Sequence, residues 1–236
     1  MKALNKALPG LCIGIGLIVM GCLLSHGIIT VKDRDRIVTV KGLAEREVKA
    51  DRVIWPLVFK EIGNDMTSIY NAVNKKNEIV CDFLKNNGIN ENEISIAAPQ
   101  IIDMRAERYA NNNEIPYRYN VTSVITVTSN QIDKVRELIS RQVDLLKQGV
   151  AIIDGDYRYT TQYSFTGLND IKPEMIEEAT VAARLAAEKF AKDSDSKLGK
   201  IRRANQGQFV ISNRDENTPY IKEVRVVTTI DYYLKD

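Results

Sequence analysis

The hydrophobic pattern after residue 36 alternates between the two-residue period of strands and the three-to-four-residue period of helices. Alternating apolar and polar residues predict strands over 36–49, 51–62, 93–105, 117–128, 150–165, 200–213 and 220–234. Apolar residues that recur on one face predict amphipathic helices over 65–86, 130–148 and 170–193. A long Asn-rich connection over 107–116 joins the third predicted strand to the fourth.

The order of these elements predicts an α+β fold. Strand–helix–strand–strand occurs twice, around 51–128 and around 150–234, which suggests two similar halves without a residue-level repeat. Paired strands with single helices between them favour an antiparallel or mixed sheet on which the helices pack. We expect this domain over 37–236, preceded over 1–36 by an N-terminal anchor and a short linker.

Two prolines and one helix face refine the prediction. Pro56 has no backbone N–H, so the second strand is expected to have an edge position or a bulge there. Pro173 and Glu174 suit the first turn of the last helix. One face of that helix is a narrow stripe of mostly small residues, which would let the helix approach a sheet or another helix closely. This face contains Ala179, Ala182, Ala183, Ala186 and Phe190.

The strand predicted over 150–165 places aromatic side chains on a single face. These side chains are Tyr157, Tyr159, Tyr163 and Phe165, with Thr161 between them. Such faces more often pack beneath a helix, but a face that lined an enclosed apolar pocket would bind a small ligand or a lipid. A small-ligand or lipid-binding module is therefore the first alternative function.

The N-terminal segment over 7–31 contains no Asp, Glu, Lys or Arg. As a helix, its 25 residues would extend over roughly 37 Å, enough to cross a bilayer core of about 30 Å. We therefore expect a retained, single-pass transmembrane helix. Two alternatives stay open: a signal peptide cleaved near Ser25-His26-Gly27, and a lipoprotein signal that is lipidated at Cys22.

Charge excludes one class of partner and leaves the orientation of the anchor open. Lys2 and Lys6 are two of the 33 basic residues, and the basic residues that remain equal the 31 acidic ones in number. A neutral domain offers no electrostatic basis for binding nucleic acid, so we expect no nucleic-acid partner. Lys and Arg on both sides of the segment do not settle which side of the membrane the domain occupies.

Nucleophilic and zinc chemistry lack the residues that they need. His26 is the only histidine and lies in the apolar segment, which removes Ser-His-Asp, Cys-His and His-containing zinc arrangements from the domain. Cys81 is the only cysteine after Cys22, and we expect it to be a buried, unreactive thiol. We predict no enzyme activity, and we assign no catalytic, cofactor-binding or metal-binding residue.

Charged clusters offer weaker candidates. A hydrolase with paired acids could use Glu45 and Glu47, or Glu177 and Glu178, which are close only in sequence. Solvated surface is the more frequent role of such pairs. A surface role is also expected for a basic cluster that could otherwise contact an anion or a phospholipid headgroup: Lys197, Lys200, Arg202 and Arg203.

The sequence resembles the SIMPL-domain family over roughly 37–236. The residues that carry the resemblance are 38–47, Ala50-Asp51 and Ile54-Trp55-Pro56, then 168–176 with Glu178-Ala179-Thr180, and finally 204–207 with 224–229 and Tyr232. The resemblance implies a βα-rich fold, a location in the bacterial cell envelope and a tendency to form oligomers. For some members it also implies a part in oxidative-stress defence. It supplies no agreed reaction and no catalytic motif.

Together these observations predict a non-enzymatic interaction or scaffold protein, anchored in the bacterial inner membrane, with its C-terminal domain in the periplasm. A lipoprotein and a secreted periplasmic protein are the alternatives for its location. We expect a homo-oligomer, whose contact surfaces would be strand edges and the connection 107–116. A carboxylate-based hydrolase is the least favoured function, and the sequence identifies no protein partner.

Overall fold

The computed structural model describes residues 2–33, 36–106, 116–153 and 155–235, and in the first helix it describes side chains only for 13–28. The helices are α1 (Lys2–Asp33), α2 (Met66–Asn86), α3 (Ile132–Ser140), α4 (Val143–Lys147) and α5 (Leu168–Asp193). The strands are β1 (Ile37–Lys49), β2 (Arg52–Gly63), β3 (Ile94–Ile96), β4 (Gln100–Asp103), β5 (Tyr119–Ser129), β6 (Gln162–Ser164), β7 (Lys197–Gln206), β8 (Val210–Asn213) and β9 (Ile221–Lys235). Short 3-10 helices lie at Glu91–Glu93 and Tyr157–Tyr159.

The α+β class is confirmed, with two antiparallel sheets. One sheet has the order β1-β9-β7, and β8 also pairs with β9. The other has the order β3-β5-β2-β6, and β4 also pairs with β5. The chain forms two compact units: the α5 unit contains residues up to Arg46, Asp170–Val210 and the residues from Val224 onward, and the α2 unit contains Glu47–Asn169 and Ile211–Glu223.

The prediction of two consecutive halves is only partly right. The first half is confirmed, because β2, α2, β3, β4 and β5 follow one another and their strands share a sheet. The second half is wrong in its first strand. β6 pairs with β2 rather than with the strands that follow it, and β1, from the other end of the chain, occupies the place beside β9. The α5 unit is therefore assembled from three separate stretches of sequence.

In the α2 unit, the helix α2 packs its apolar face on the sheet. It begins where the pattern predicts, because the Asp65 carboxylate accepts a hydrogen bond from the Ser68 backbone N–H at 2.7 Å and so caps the helix. Each large side chain that is fully buried in this core contributes about 1.5–3 kcal/mol. The core includes Val53, Trp55, Leu57, Phe59, Ile69, Val73, Val80, Phe83, Leu84, Val121, Ile125 and Val127.

The third predicted strand is in fact two strands, β3 and β4. Both pair with β5, but Ile96 lies opposite Ile125 whereas Gln100 lies opposite Thr122. The register therefore shifts by one residue between them, which is the signature of a β-bulge. Pro99 lies in this gap and has no N–H to donate to β5, so the sequence itself interrupts the strand.

Pro56 occupies an edge-like position within β2, as predicted. It lies opposite Thr126 of β5, and β6 covers only the first three residues of β2. Two residues further on, the Val58 carbonyl accepts a hydrogen bond from the Ile153 N–H at 2.7 Å, on the side away from β5. In an antiparallel register the nitrogen of Pro56 faces the same side, so the missing N–H costs no hydrogen bond to β5.

Two predicted elements of the α2 unit are wrong in extent. The helix predicted over 130–148 is broken between Ser140 and Val143 into α3 and α4. The strand predicted over 150–165 exists only as β6, and residue 154 lies outside the described residues. The predicted aromatic face is therefore wrong: Tyr157 lies on a 3-10 helix and is 85% exposed, whereas Tyr163 lies in β6 and packs against the core.

In the other unit, α5 approaches β1 so closely that only glycine fits at position 42. A Cβ on Gly42 would lie 1.8 Å from the Ala179 carbonyl oxygen and 2.5 Å from the Ala183 nitrogen. The predicted small-residue face of α5 is confirmed at Ala179 and Ala183, which are buried, but not at Phe190, which is 60% exposed. The buried face has a four-residue spacing and consists of Met175, Ala179, Ala183, Ala187 and Ala191.

Pro173 lies inside α5 rather than in its first turn. The helix begins at Leu168, two residues earlier than predicted, so that the proline is its sixth residue. A proline at this depth removes the hydrogen bond that its N–H would donate to the carbonyl of Asn169.

The helix α1 extends over Lys2–Asp33 and contains the whole predicted span 7–31. In the described part of the chain, no helix meets the length and apolar character that a membrane span requires. The side chains of 7–12 and 29–31 lie outside the described ones.

Candidate functional site

The carboxylates of β1 that sequence alone offered as a catalytic pair lie in separate ion pairs. The Glu45 carboxylate lies 3.3 Å from Nε of Arg225, and the Glu47 carboxylate lies 3.4 Å from Nη1 of Arg214. Both glutamates are exposed. Each therefore belongs to a surface ion pair, a type of contact that typically contributes little to stability.

The second carboxylate pair lines an open groove on α5. Glu177 and Glu178 share this groove of about 440 Å³ with Glu174 and Val181. Arg46 of β1 donates hydrogen bonds to Glu174 at 2.7 Å and to Glu178 at 2.5 Å. These hydrogen bonds raise the pKa of Arg46, so the guanidinium remains charged and binds two of the three glutamates.

The predicted basic cluster follows the outer strand β7. In the described part of the chain, β7 pairs only with β9. Its residues from Lys200 to Gln206 are all exposed. The register with β9 is irregular at two points, between Leu198 and Ile201 and again between Ile201 and Arg203. The strand therefore presents an open but distorted edge that carries positive charge.

Cys81 is half-buried on α2 and packs against the core. Burial raises the pKa of the Cys81 thiol, so the thiol is protonated at neutral pH, as the prediction of an unreactive cysteine requires. The Asn-rich connection that was expected to form a contact surface lies outside the described residues, apart from Pro116. In the described residues, no group of three or more His, Cys, Asp or Glu side chains is placed to hold a metal ion.

A basic concave site in the α2 unit was missed by sequence reasoning. It is a pocket of about 400 Å³ at the end of β1 and the first turns of α3. Lys49, Lys134 and Arg136 contribute three positive charges, and Asp133 contributes one negative charge. No local motif could have revealed this site, since Lys49 and Tyr220, which also lines it, come from distant parts of the sequence.

Aromatic packing fixes the position of Arg136 in this basic pocket. Its guanidinium carbon lies 3.6 Å from the centre of the Tyr220 ring, a close cation–π contact. The Tyr220 ring in turn meets Tyr163 edge-on at 6.2 Å between ring centres. Ala50 and Tyr220, which both line the pocket, are joined by a hydrogen bond that the Ala50 N–H donates to the Tyr220 carbonyl at 2.9 Å.

Comparison with models of protein families gives a match. The model of the SIMPL family, which is described as a protein of unknown function (DUF541), matches residues 38–229. No curated protein matches the chain. The matched region begins in β1 and ends in β9, so it includes residues of both compact units.

Proposed function

Because the chain belongs to the SIMPL family, we propose that it is a non-enzymatic interaction protein of the bacterial cell envelope, attached to the inner membrane through residues 7–31. The C-terminal domain would lie in the periplasm and assemble into a homo-oligomer. A protein retained as a lipoprotein at Cys22, or secreted after cleavage near Ser25, is the alternative for its location.

The exposed side chains of α1 carry this proposal. Ile13, Ile18 and Leu23 are 65%, 68% and 68% exposed. Other exposed apolar residues lie between them, so that apolar side chains point to every side of the helix: Ile15, Leu17, Val19, Met20, Leu24 and Ile28. A helix that packs on a protein core is apolar on one face only, whereas a helix that is apolar all round needs an apolar environment on every side.

Membrane fractionation tests the attachment. The full chain, expressed in a bacterium, is expected in the membrane pellet after carbonate extraction, and Ile18→Arg with Leu23→Arg should release it, because each arginine costs about 2.5–3.5 kcal/mol at a membrane centre. Ile62→Arg is the matched control, since Ile62 is an exposed isoleucine of β2. Wild-type protein in the carbonate-soluble fraction would contradict the attachment, and the mass of the mature chain distinguishes retention, cleavage and lipidation.

The open edge of β7 supports assembly. Unpaired N–H and C=O groups along an outer strand can pair with the same strand of another copy. The basic residues and the irregular register of β7 would limit such pairing to a defined contact rather than open-ended growth. Ile201 is 51% exposed on this strand, and we expect Ile201→Pro to weaken the oligomer without unfolding the unit.

Crosslinking and mass spectrometry of gently extracted protein test assembly and report neighbours. We expect crosslinks between copies that involve Lys200, and their loss in Ile201→Pro. A protein that remains strictly monomeric at high concentration would contradict assembly. A part in oxidative-stress defence would act through such contacts rather than through the protonated thiol of Cys81, and unchanged peroxide sensitivity of a deletion strain would count against that part.

A further inference from the structure

The basic pocket of the α2 unit is built differently from the rest of the surface. The chain after residue 31 is neutral overall, yet three cations and one carboxylate line this pocket, which leaves a net charge of about +2. Its volume of about 400 Å³ falls within the range of about 300–1,000 Å³ that small-molecule sites occupy. The pocket is therefore a concave, locally positive site of ligand size.

The donors of its cations are largely unused. Arg136 is held by its stacking on Tyr220 and contacts Asp133 only at 3.5 Å through Nη1, so most of its donors remain available. The Lys134 ammonium donates to the Gly88 carbonyl at 3.2 Å, which fixes its place and leaves two further protons. The Lys49 side chain is exposed and lines the same pocket. A ligand with several acceptor oxygens would meet two cations that are already positioned, Arg136 and Lys134.

We propose that this basic pocket binds the phosphate group of a small anionic molecule. A phosphate monoester carries about −1.5 to −2 charge at neutral pH and offers three acceptor oxygens, which matches the net charge of the pocket and its three cations. Arg136 supplies the planar fork that phosphate oxygens accept, while Lys49 and Lys134 act as point charges. Asp133 opposes binding and limits the affinity. The proposal is independent of membrane attachment and of assembly.

Isothermal titration of the full chain in phosphatidylcholine nanodiscs, with inorganic phosphate at constant ionic strength, tests the site. We expect saturable binding at one site per chain. Lys49→Met and Arg136→Met should each weaken the affinity about tenfold, because each removes a charge-assisted hydrogen bond. Asp133→Asn should strengthen the affinity severalfold, a change that a purely structural role of these residues would not produce.

Lys75→Met is the matched control, since Lys75 is an exposed lysine on α2 in the same unit but away from the pocket. It should bind phosphate as wild type does. Thermal unfolding identifies any variant that fails to fold, and Arg136→Lys then replaces Arg136→Met, with an expected partial loss. Phosphate heats that do not saturate, or that are equal in Lys49→Met and Lys75→Met, would overturn the proposal.

The source of the phosphate group is distinguished by the lipid of the nanodisc. If phosphatidic acid in the disc abolishes the heat of phosphate binding to wild type, a lipid headgroup occupies the pocket. If phosphate binds equally well with and without phosphatidic acid, the ligand is a soluble phosphate ester. Both outcomes support a phosphate site, whereas equal affinity for chloride would reduce it to general charge attraction and contradict the proposal.

Discussion

Replacing Gly42 with alanine adds one methyl group where the backbone of α5 already lies. The new Cβ would be 1.8 Å from the Ala179 carbonyl oxygen, well inside the 3.0 Å that Cβ atoms essentially never breach. The helix must therefore move away from β1 by roughly 1 Å. A gap of that size loses about a quarter to a half of the dispersion energy of each contact between α5 and β1. The buried alanines of α5 are the residues that lose these contacts.

The expected cost is about 2–3 kcal/mol. Overpacking costs about 1–3 kcal/mol, and this site belongs at the upper end because backbone rather than a flexible side chain obstructs the methyl group. Alanine also lowers the conformational entropy of the unfolded chain, which offsets about 0.4–1 kcal/mol of this loss in stability. In a protein of this size, the net cost corresponds to a fall in Tm of roughly 4–12 °C, measurable by circular dichroism during thermal unfolding of the detergent-solubilised chain.

Two further variants make the test of Gly42 specific. Gly63→Ala is the control, since its Cβ would meet only the Ile69 side chain, at 3.2 Å, and that side chain can yield. Adding Ala179→Gly to Gly42→Ala should rescue nothing, because the obstructing atom is a carbonyl oxygen that glycine also carries. A Gly42→Ala protein as stable as wild type, or rescue by Ala179→Gly, would refute the close approach.

Three other predictions follow from single side chains. Lys222 is only 7% exposed and donates to the Asn213 amide oxygen at 2.5 Å, and burial lowers the pKa of Lys222. Asn213→Ala leaves this buried charge without its acceptor and should lower the free energy of unfolding, measured in urea, by about 1–3 kcal/mol. Lys222→Met removes the buried charge and should cost less, and the reverse order of the two costs would contradict this account. The Asp51 carboxylate accepts hydrogen bonds from the Thr166 and Gly167 N–H groups at 2.8 Å, so Asp51→Ala should destabilise the α2 unit by about 1.5–3 kcal/mol, and an effect below measurement error would count against it. A hydrogen bond from the Thr218 hydroxyl, and to a smaller extent one from Arg214, lowers the pKa of Asp215 to about 2. The pKa in the folded protein is therefore below the unfolded value of about 3.9. The stability that the Asp215 carboxylate contributes is complete above a pH of about 3.9 and is lost as the pH falls through about 2. NMR titration of this carboxyl should give a midpoint near 2, and a midpoint near 4 would show that the turn does not hold the carboxylate.

The sequence was sufficient to predict helices whose ends are marked by capping residues and whose buried face is marked by recurring apolar residues. The helix α2 was predictable because Asp65 caps it and apolar residues recur along one face. Alternation misled at 150–165, because the tyrosines there alternate with polar residues although most of the stretch pairs with no strand in the described structure. There, the Asp156 side chain accepts from the Arg158 N–H and turns the chain into a 3-10 helix, a local competition that periodicity does not register.

Contacts between distant residues could not be predicted from one sequence. β1 rather than β6 pairs with β9, and no residue of β1 by itself indicates that β9 is its partner. The same limit applies to the basic pocket, because Lys49, Arg136 and Tyr220 become neighbours only when the end of β1, the start of α3 and the residues before β9 come together. Gly42 was visible in the sequence, but the helix backbone that requires glycine there was not.

The pairing of β1 with β9 also dictates an order of events during synthesis. The Leu234 N–H donates to the Arg36 carbonyl at 2.9 Å, so the first strand after α1 pairs with a strand that is synthesised much later. Most of the α2 unit is complete long before that and can fold first, since chains emerge from the N-terminus. Until β9 is synthesised, β1 lacks this partner strand, and an unpaired strand edge of this kind can pair with another chain.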